Sequence, residues 1–166
     1  MAAERAQHIL VIGIGNAESG DDGVGLAVAE RVSGLGLSKV DVAKHCGDAC
    51  ALMEAWDGYG NVILVDATRS GAMAGTVRSF DPRAMPPTGR AFGMSTHGFG
   101  VAWTLEFARA LNRLPARCRV FAVEGERFDQ RRDMSPAVKS ALDEVLEQIT
   151  AQIARMRATI GTERDE

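Results

Sequence analysis

Residues 8–25 read HILVIGIGNAESGDDGVG, and the order of residue types in this stretch decides the fold. HILVIGI, from His8 to Ile14, is a short apolar run rich in β-branched side chains that ends in glycine. Such a run reads as a strand buried on both faces. From Asp22 the period changes, and Val24, Ala27, Val28 and Val32 form one apolar helical stripe. A buried strand that passes through a glycine-rich turn into a helix opens an α/β unit.

The rest of the chain repeats the alternation. Val40 to Ala43 is a weaker second strand and Ala49 to Trp56 a short helix. Val62 to Val65 (VILV) is the clearest buried strand, ending at Asp66. Gly75 to Phe80 reads as a further strand, antiparallel because so short a connection cannot make a parallel crossover. Asp81 to Ser95 holds three prolines and two glycines and reads as a loop. Gly98 to Asn112 is a helix apolar over most of its circumference, with Val101, Trp103, Leu105, Phe107, Ala108 and Leu111, so it is expected to be largely buried. Arg119 to Val123 returns as a strand. Ser135 and Pro136 are a good helix start, since serine caps free N–H groups and proline suits the first helical position. Val138, Ala141, Leu142, Val145, Leu146, Ile149 and Ile153 then mark a long amphipathic helix. The expectation is one α/β domain over residues 1–166, a twisted, mostly parallel sheet of about five strands flanked by helices on both faces. Residues 1–7 and 162–166 are expected to be frayed tails.

Bulk properties narrow the function classes. The 166 residues suffice for one core, and 46% hydrophobic with 25% charged residues is an ordinary globular balance. A net charge of −3 argues against a nucleic-acid partner. Three cysteines, Cys46, Cys50 and Cys118, are too few for a disulfide scaffold and point to a reducing compartment. Cys50 and Cys118 read as small buried apolar residues. No run approaches the roughly 18 apolar residues of a membrane span, and the start of the chain lacks a signal-peptide pattern. A cytoplasmic monomer is expected.

In open α/β sheets ligands bind beyond the carboxyl ends of the strands. Three groups fall there: Asp21 with Asp22 after the first strand, Asp66 at the end of the third, and His97 just before a helix. Each has a plain explanation, as a helix cap, a turn acceptor or a structural histidine. Together, Asp22, Asp66 and His97 would bring two carboxylates and an imidazole to one edge. Three protein ligands with a position left open describe a catalytic or substrate-sensing metal site. Zinc, nickel, manganese and iron all suit such donors.

Rival motifs are weaker. Gly13-Ile14-Gly15 invites a dinucleotide reading, but Glu18 stands where the third glycine belongs. Asp21 and Asp22 would also repel a phosphate at that helix start. Ser95 beside His97 lacks the G-x-S-x-G elbow of a hydrolase serine. His45, Cys46 and Cys50 lack the fourth partner of a zinc site.

The motifs resemble one family, the nickel–iron hydrogenase maturation proteases. The carriers are Gly13-Ile14-Gly15-Asn16 with Asp21-Asp22-Gly23-Val24-Gly25, then Val65-Asp66-Ala67 leading to Gly75-Thr76-Val77, then Ser95-Thr96-His97, a helix, Leu114-Pro115 and a strand. The blocks keep their order from about His8 to Ile153. The resemblance implies a five-stranded α/β domain and a metal-sensing site at Asp22, Asp66 and His97, with Asp21 in reserve. It implies an endopeptidase that removes the C-terminal extension of a nickel–iron hydrogenase large-subunit precursor after nickel insertion. The nickel would be presented by the substrate, and the same three residues are the candidate catalytic groups. A metal-dependent chaperone that holds the precursor without cutting it fits the same site.

Two departures stand out. Where some members have an aspartate in an Asp-Gly-Gly-Thr stretch, this chain has His45-Cys46-Gly47-Asp48, leaving His45 and Asp48 as alternatives. Glu18 replaces a residue that is commonly apolar. The loop from Pro82 to Met94, with Met85, Pro86, Pro87, Phe92 and Met94, is a candidate partner surface or a plain connector. Glu124 and Glu126, after the last strand, read as solvated rim charges.

Overall fold

The computed structural model describes residues 5–84 and 100–162. Its centre is a five-stranded sheet formed by β1 (Ile9–Ile14), β2 (Val40–His45), β3 (Asn61–Thr68), β4 (Val77–Phe80) and β5 (Arg117–Glu124). The spatial order is β2-β1-β3-β5-β4. β1 pairs with β2 and β3, and β3 with β5, all in parallel. β4 closes the far edge antiparallel to β5, as the short β3–β4 connection requires. Both edge strands carry charged residues, Asp41 and Lys44 on β2 and Arg78 on β4, which discourages further strand addition.

Helices cover both faces. Side chains alternate across a strand, so Ile9 and Val11 of β1 and Ile63, Val65 and Ala67 of β3 enter one core. That core is closed by α1 (Val24–Gly34) and α4 (Pro136–Thr162). Leu10, Ile12 and Ile14 of β1 with Val62 and Leu64 of β3 enter the other. There α2 (Ala49–Ala55) supplies Leu52 and Met53, and α3 (Gly100–Ala110) supplies Val101, Leu105 and Ala108. Ser135 caps α4 as expected, its Oγ accepting from the Val138 N–H at 3.4 Å.

Several sequence expectations are corrected. β3 does not stop at Asp66 but runs to Thr68, because β5 continues to Glu124 and pairs residue for residue, Asp66 opposite Ala122 and Thr68 opposite Glu124. α1 begins at Val24, preceded by a 3-10 turn over Gly20–Gly23 that contains both aspartates. α3 is less buried than its composition implied: Trp103 is 42% and Leu111 48% exposed, with Trp103 stacked on Phe107 at 5.0 Å between ring centroids. Cys118 is buried, but Cys50 is exposed in the first turn of α2. Most of the Pro82–Met94 loop, with Met85, Pro86, Pro87, Phe92 and Met94, lies outside the described residues. Its first turn is held by Arg83, whose Nε donates to the Pro115 carbonyl at 3.0 Å. Among the described residues no helix is long and apolar enough to cross a membrane.

Candidate functional site

Leaving β1 the chain turns toward β2, and after β2 it returns to the other side of β1 as β3. The carboxyl ends of β1 and β3 therefore form a switch point, the place where open α/β sheets leave a crevice. Two glycines press α1 onto it. A Cβ on Gly25 would stand 2.3 Å from the Val65 carbonyl oxygen and 2.4 Å from that of Ile14. A Cβ on Gly13 would stand 2.1 Å from the Gly25 carbonyl oxygen. The glycine-rich stretch thus serves close helix–strand contact, which carries the turn with Asp21 and Asp22 directly over the strand ends.

The two adjacent aspartates have different tasks. Asp21 is fully buried and turned inward. Its Oδ2 accepts from the N–H groups of Glu126 (2.8 Å) and Arg127 (2.9 Å), and its Oδ1 from that of Ser135 (2.6 Å). Burial pushes its carboxyl up, yet the amides of Glu126, Ser135 and Arg127 with the Ser135 side chain outweigh burial and hold it below the ordinary value. The Asp21 N–H donates to the Arg127 carbonyl (2.7 Å), and Gly20 N–H to that of Arg132 (3.1 Å). Residues 125–135, between β5 and α4, are thereby clasped against the turn after β1. Asp22, also buried, is engaged elsewhere: its Oδ2 accepts from the Asn16 N–H at 2.7 Å. Gly15, at φ 143°, brings the chain so close that a Cβ there would lie 1.8 Å from the Asp22 carbonyl oxygen.

Asp66 continues the alternation of Val62 and Leu64, so it belongs to the sheet face covered by α2 and α3. Its Oδ1 accepts from its neighbour's amide, Ala67 N–H, at 2.9 Å. Burial first, and then the negative charge of Asp22, push its carboxyl up to about 8, while the Ala67 amide pulls the other way. Two acids so close that one raises the other form a donor set that fits a divalent cation, because the cation removes both the repulsion and the burial cost of the charge. Among the described residues no three His, Cys, Asp or Glu side chains gather to hold a metal. Asp22 and Asp66 are the two members of the expected trio that are described. His97 lies outside the described residues; α3, which starts three residues later, packs on the face to which Asp66 belongs.

Other acidic and histidine candidates resolve into structural tasks. Asp48 caps α2, its Oδ1 accepting from Ala51 N–H at 2.9 Å. His45 ends β2 beside Ile14; its Nδ1 accepts from Gly47 N–H at 3.1 Å and its carbonyl accepts from Gly15 N–H. Glu124 is not a solvated rim charge. It is buried, with Oε1 accepting from the N–H groups of Ser70 (2.7 Å) and Gly71 (2.9 Å) and Oε2 from the Ser70 hydroxyl (2.7 Å). Sequence reading missed this staple and the Asp21 clasp alike, since neither has a local signature. Asn16 was legible only as the residue after the glycines.

A family model described as hydrogenase maturation protease (HycI) matches residues 39–152, a span that includes Asp66 and His97 and begins after Asp22. No curated protein matches the chain. Among solved structures, the [NiFe] hydrogenase maturation protease HybD from Thermococcus kodakarensis superposes with a TM-score of 0.72 at 22% identity, covering 88% of this chain and 99% of that one. The hydrogenase maturating endopeptidase HybD from E. coli gives 0.72 at 22% identity, covering 90% and 93%. A solution structure of an endopeptidase from Escherichia coli gives 0.76 at 21%, covering 90% and 93%. At such identities these likenesses are of fold. With the family model matched over more than half of its length, the chain belongs to the hydrogenase maturation proteases.

Proposed function

We propose that this peptidase removes the C-terminal extension of a nickel–iron hydrogenase large-subunit precursor once nickel is installed, with the nickel offered by the substrate to Asp22, Asp66 and His97. The carrying observation is the pairing of two buried aspartates at the β1–β3 switch point, one raising the other's affinity for a proton. A site of that kind gains when a cation arrives and loses when none does, so cleavage is coupled to the completeness of the metal centre. Held by Asp22, Asp66 and His97, the substrate nickel would supply polarisation of the scissile carbonyl and activation of water. The chain's own part is to hold the peptide beside the carboxylates and to take the water's proton on one of them.

The test is direct. Purified protein is incubated with its precursor, nickel-loaded or nickel-free, and the large subunit is weighed by mass spectrometry. A discrete C-terminal peptide should be lost from the loaded sample alone, and Asp66→Asn and His97→Ala should each abolish that loss while remaining folded. A loaded precursor that another protease can cut, but that keeps its mass here while binding stoichiometrically, would instead establish a chaperone.

A further inference from the structure

α3 is apolar on two sides and covered on one. Val101, Leu105 and Ala108 belong to the core beneath it, and Thr104 is buried beside them. On the outer side Trp103 and Leu111 stay exposed, and Phe107, half-buried between them, stacks on Trp103. The Leu111 N–H donates to the Phe107 carbonyl at 3.1 Å, so the helical path reaches Leu111. Residues four apart lie one above the other on a helix, so these three make a single stripe of roughly 12 Å. The two charged residues of α3, Glu106 and Arg109, keep to one flank and lie 3.7 Å from each other. A helix surface that faces only water normally carries charge. A row of large apolar side chains there is a patch of the kind that binds another protein, and tryptophan is enriched at the centre of such contacts.

The stripe has a direction. β5 starts at the amino edge of the sheet, with Arg117 opposite Asn61, and Trp56 Nε1 fixes the chain just ahead of it by donating to the Arg113 carbonyl at 3.1 Å. The last turn of α3 is therefore at that edge. Its first turn, which bears Trp103, lies toward the carboxyl edge, where Asp66 ends its row on the same sheet face. We propose, resting on the peptidase reading above, that Trp103, Phe107 and Leu111 dock an apolar patch on the folded body of the hydrogenase large-subunit precursor while its C-terminal tail lies in the crevice. The occupant follows from continuity. A tail drawn in to Asp22 and Asp66 keeps the body it belongs to against the surface that borders the crevice, and the stripe starts on that border. A second copy of this chain seated there would stand in the way of that body, so the stripe must be open in the free protein.

Trp103→Glu and Leu111→Glu each place a charge on the stripe without entering the core. Each should raise KM for nickel-loaded precursor, and Kd for the uncut nickel-free precursor, by at least about 10-fold, with kcat and Tm near wild type. Leu35→Glu adds the same charge at a similarly exposed leucine just after α1 and should change neither constant. The proposal is overturned if Leu35→Glu weakens binding as much, or if either stripe variant binds and cuts like wild type. It is overturned also if either variant lowers Tm by many degrees, since the stripe would then belong to the chain's own packing. Sedimentation supplies the last check: a wild-type dimer that these substitutions dissociate would assign the stripe to a second copy instead. Wild type that binds the precursor but cuts nothing removes the peptidase reading, and the Kd series then decides the stripe alone; wild type that neither binds nor cuts removes both.

Discussion

Two aspartates at one sheet edge, Asp66 and Asp21, respond to pH in opposite ways. Asp66, raised to about 8, keeps its proton in the folded chain while an unfolded chain gives it up near the ordinary carboxylate value. Stability is therefore lost progressively as pH rises between those two values. Asn at position 66 removes the slope, so Asp66→Asn should melt a few degrees higher than wild type at pH 8 and equally at pH 4. Asp21 runs the other way: its carboxyl is held low, its contribution is present above the ordinary value, and it is lost as pH falls through its folded one. Asp21→Asn sets an NH2 group against amides that need an acceptor and should cost about 3 kcal/mol at pH 7. Thermal unfolding from pH 4 to 9 checks both; equal slopes in wild type and Asp66→Asn would refute the burial argument. Asp22 and Asp66 stood out as candidates in sequence because one lies in the turn after the apolar run His8–Ile14 and the other directly follows the apolar run Val62–Val65. The inward task of Asp21 was not legible, since it depends on amides 105 to 114 residues away.

At the level of elements, the alternation of apolar runs located every strand of the sheet and every long helix, and the short β3–β4 link foretold the antiparallel edge. Errors cluster at the ends. Whether β3 stops at Asp66 depends on how far β5 extends beside it, and β5 extends to Glu124 because the Ser70–Gly71 turn gives that glutamate its partners. The helix–strand contact at Gly25 is a sharper test of what the elements do. Gly25→Ala places a methyl against two backbone carbonyls that cannot yield, and should cost about 3 kcal/mol or more and displace Asp22. Gly34, at the other end of α1, meets nothing within 4 Å, so Gly34→Ala should stabilise by roughly 0.5 kcal/mol. Chemical denaturation of the pair separates close packing from helix propensity; similar effects from both would contradict the contact.

For the whole molecule, parallel order and the position of the crevice followed from the βα alternation, and the chain's family membership is consistent with both. The topology places Asp22 and Asp66 together although 44 residues separate them, by returning β3 to the flank of β1. What composition could not reveal is the degree to which this edge depends on the end of the chain. Shortened chains ending at Glu124 and at Thr162 measure that dependence. The first retains all five strands but lacks the donors to Asp21, and it should neither cut loaded precursor nor protect its amides from exchange. The second should do both.

The Asp21 clasp also has a meaning for synthesis. A ribosome releases the chain from its amino end, so both crevice aspartates emerge early, whereas the amides that settle the turn beside them arrive with Glu126, Arg127 and Ser135. During most of translation the nascent polypeptide carries both aspartates without the amides that fix the turn beside them. On the proposed reading such a peptidase is born idle, and should gain competence only as the helix after Ser135 is made.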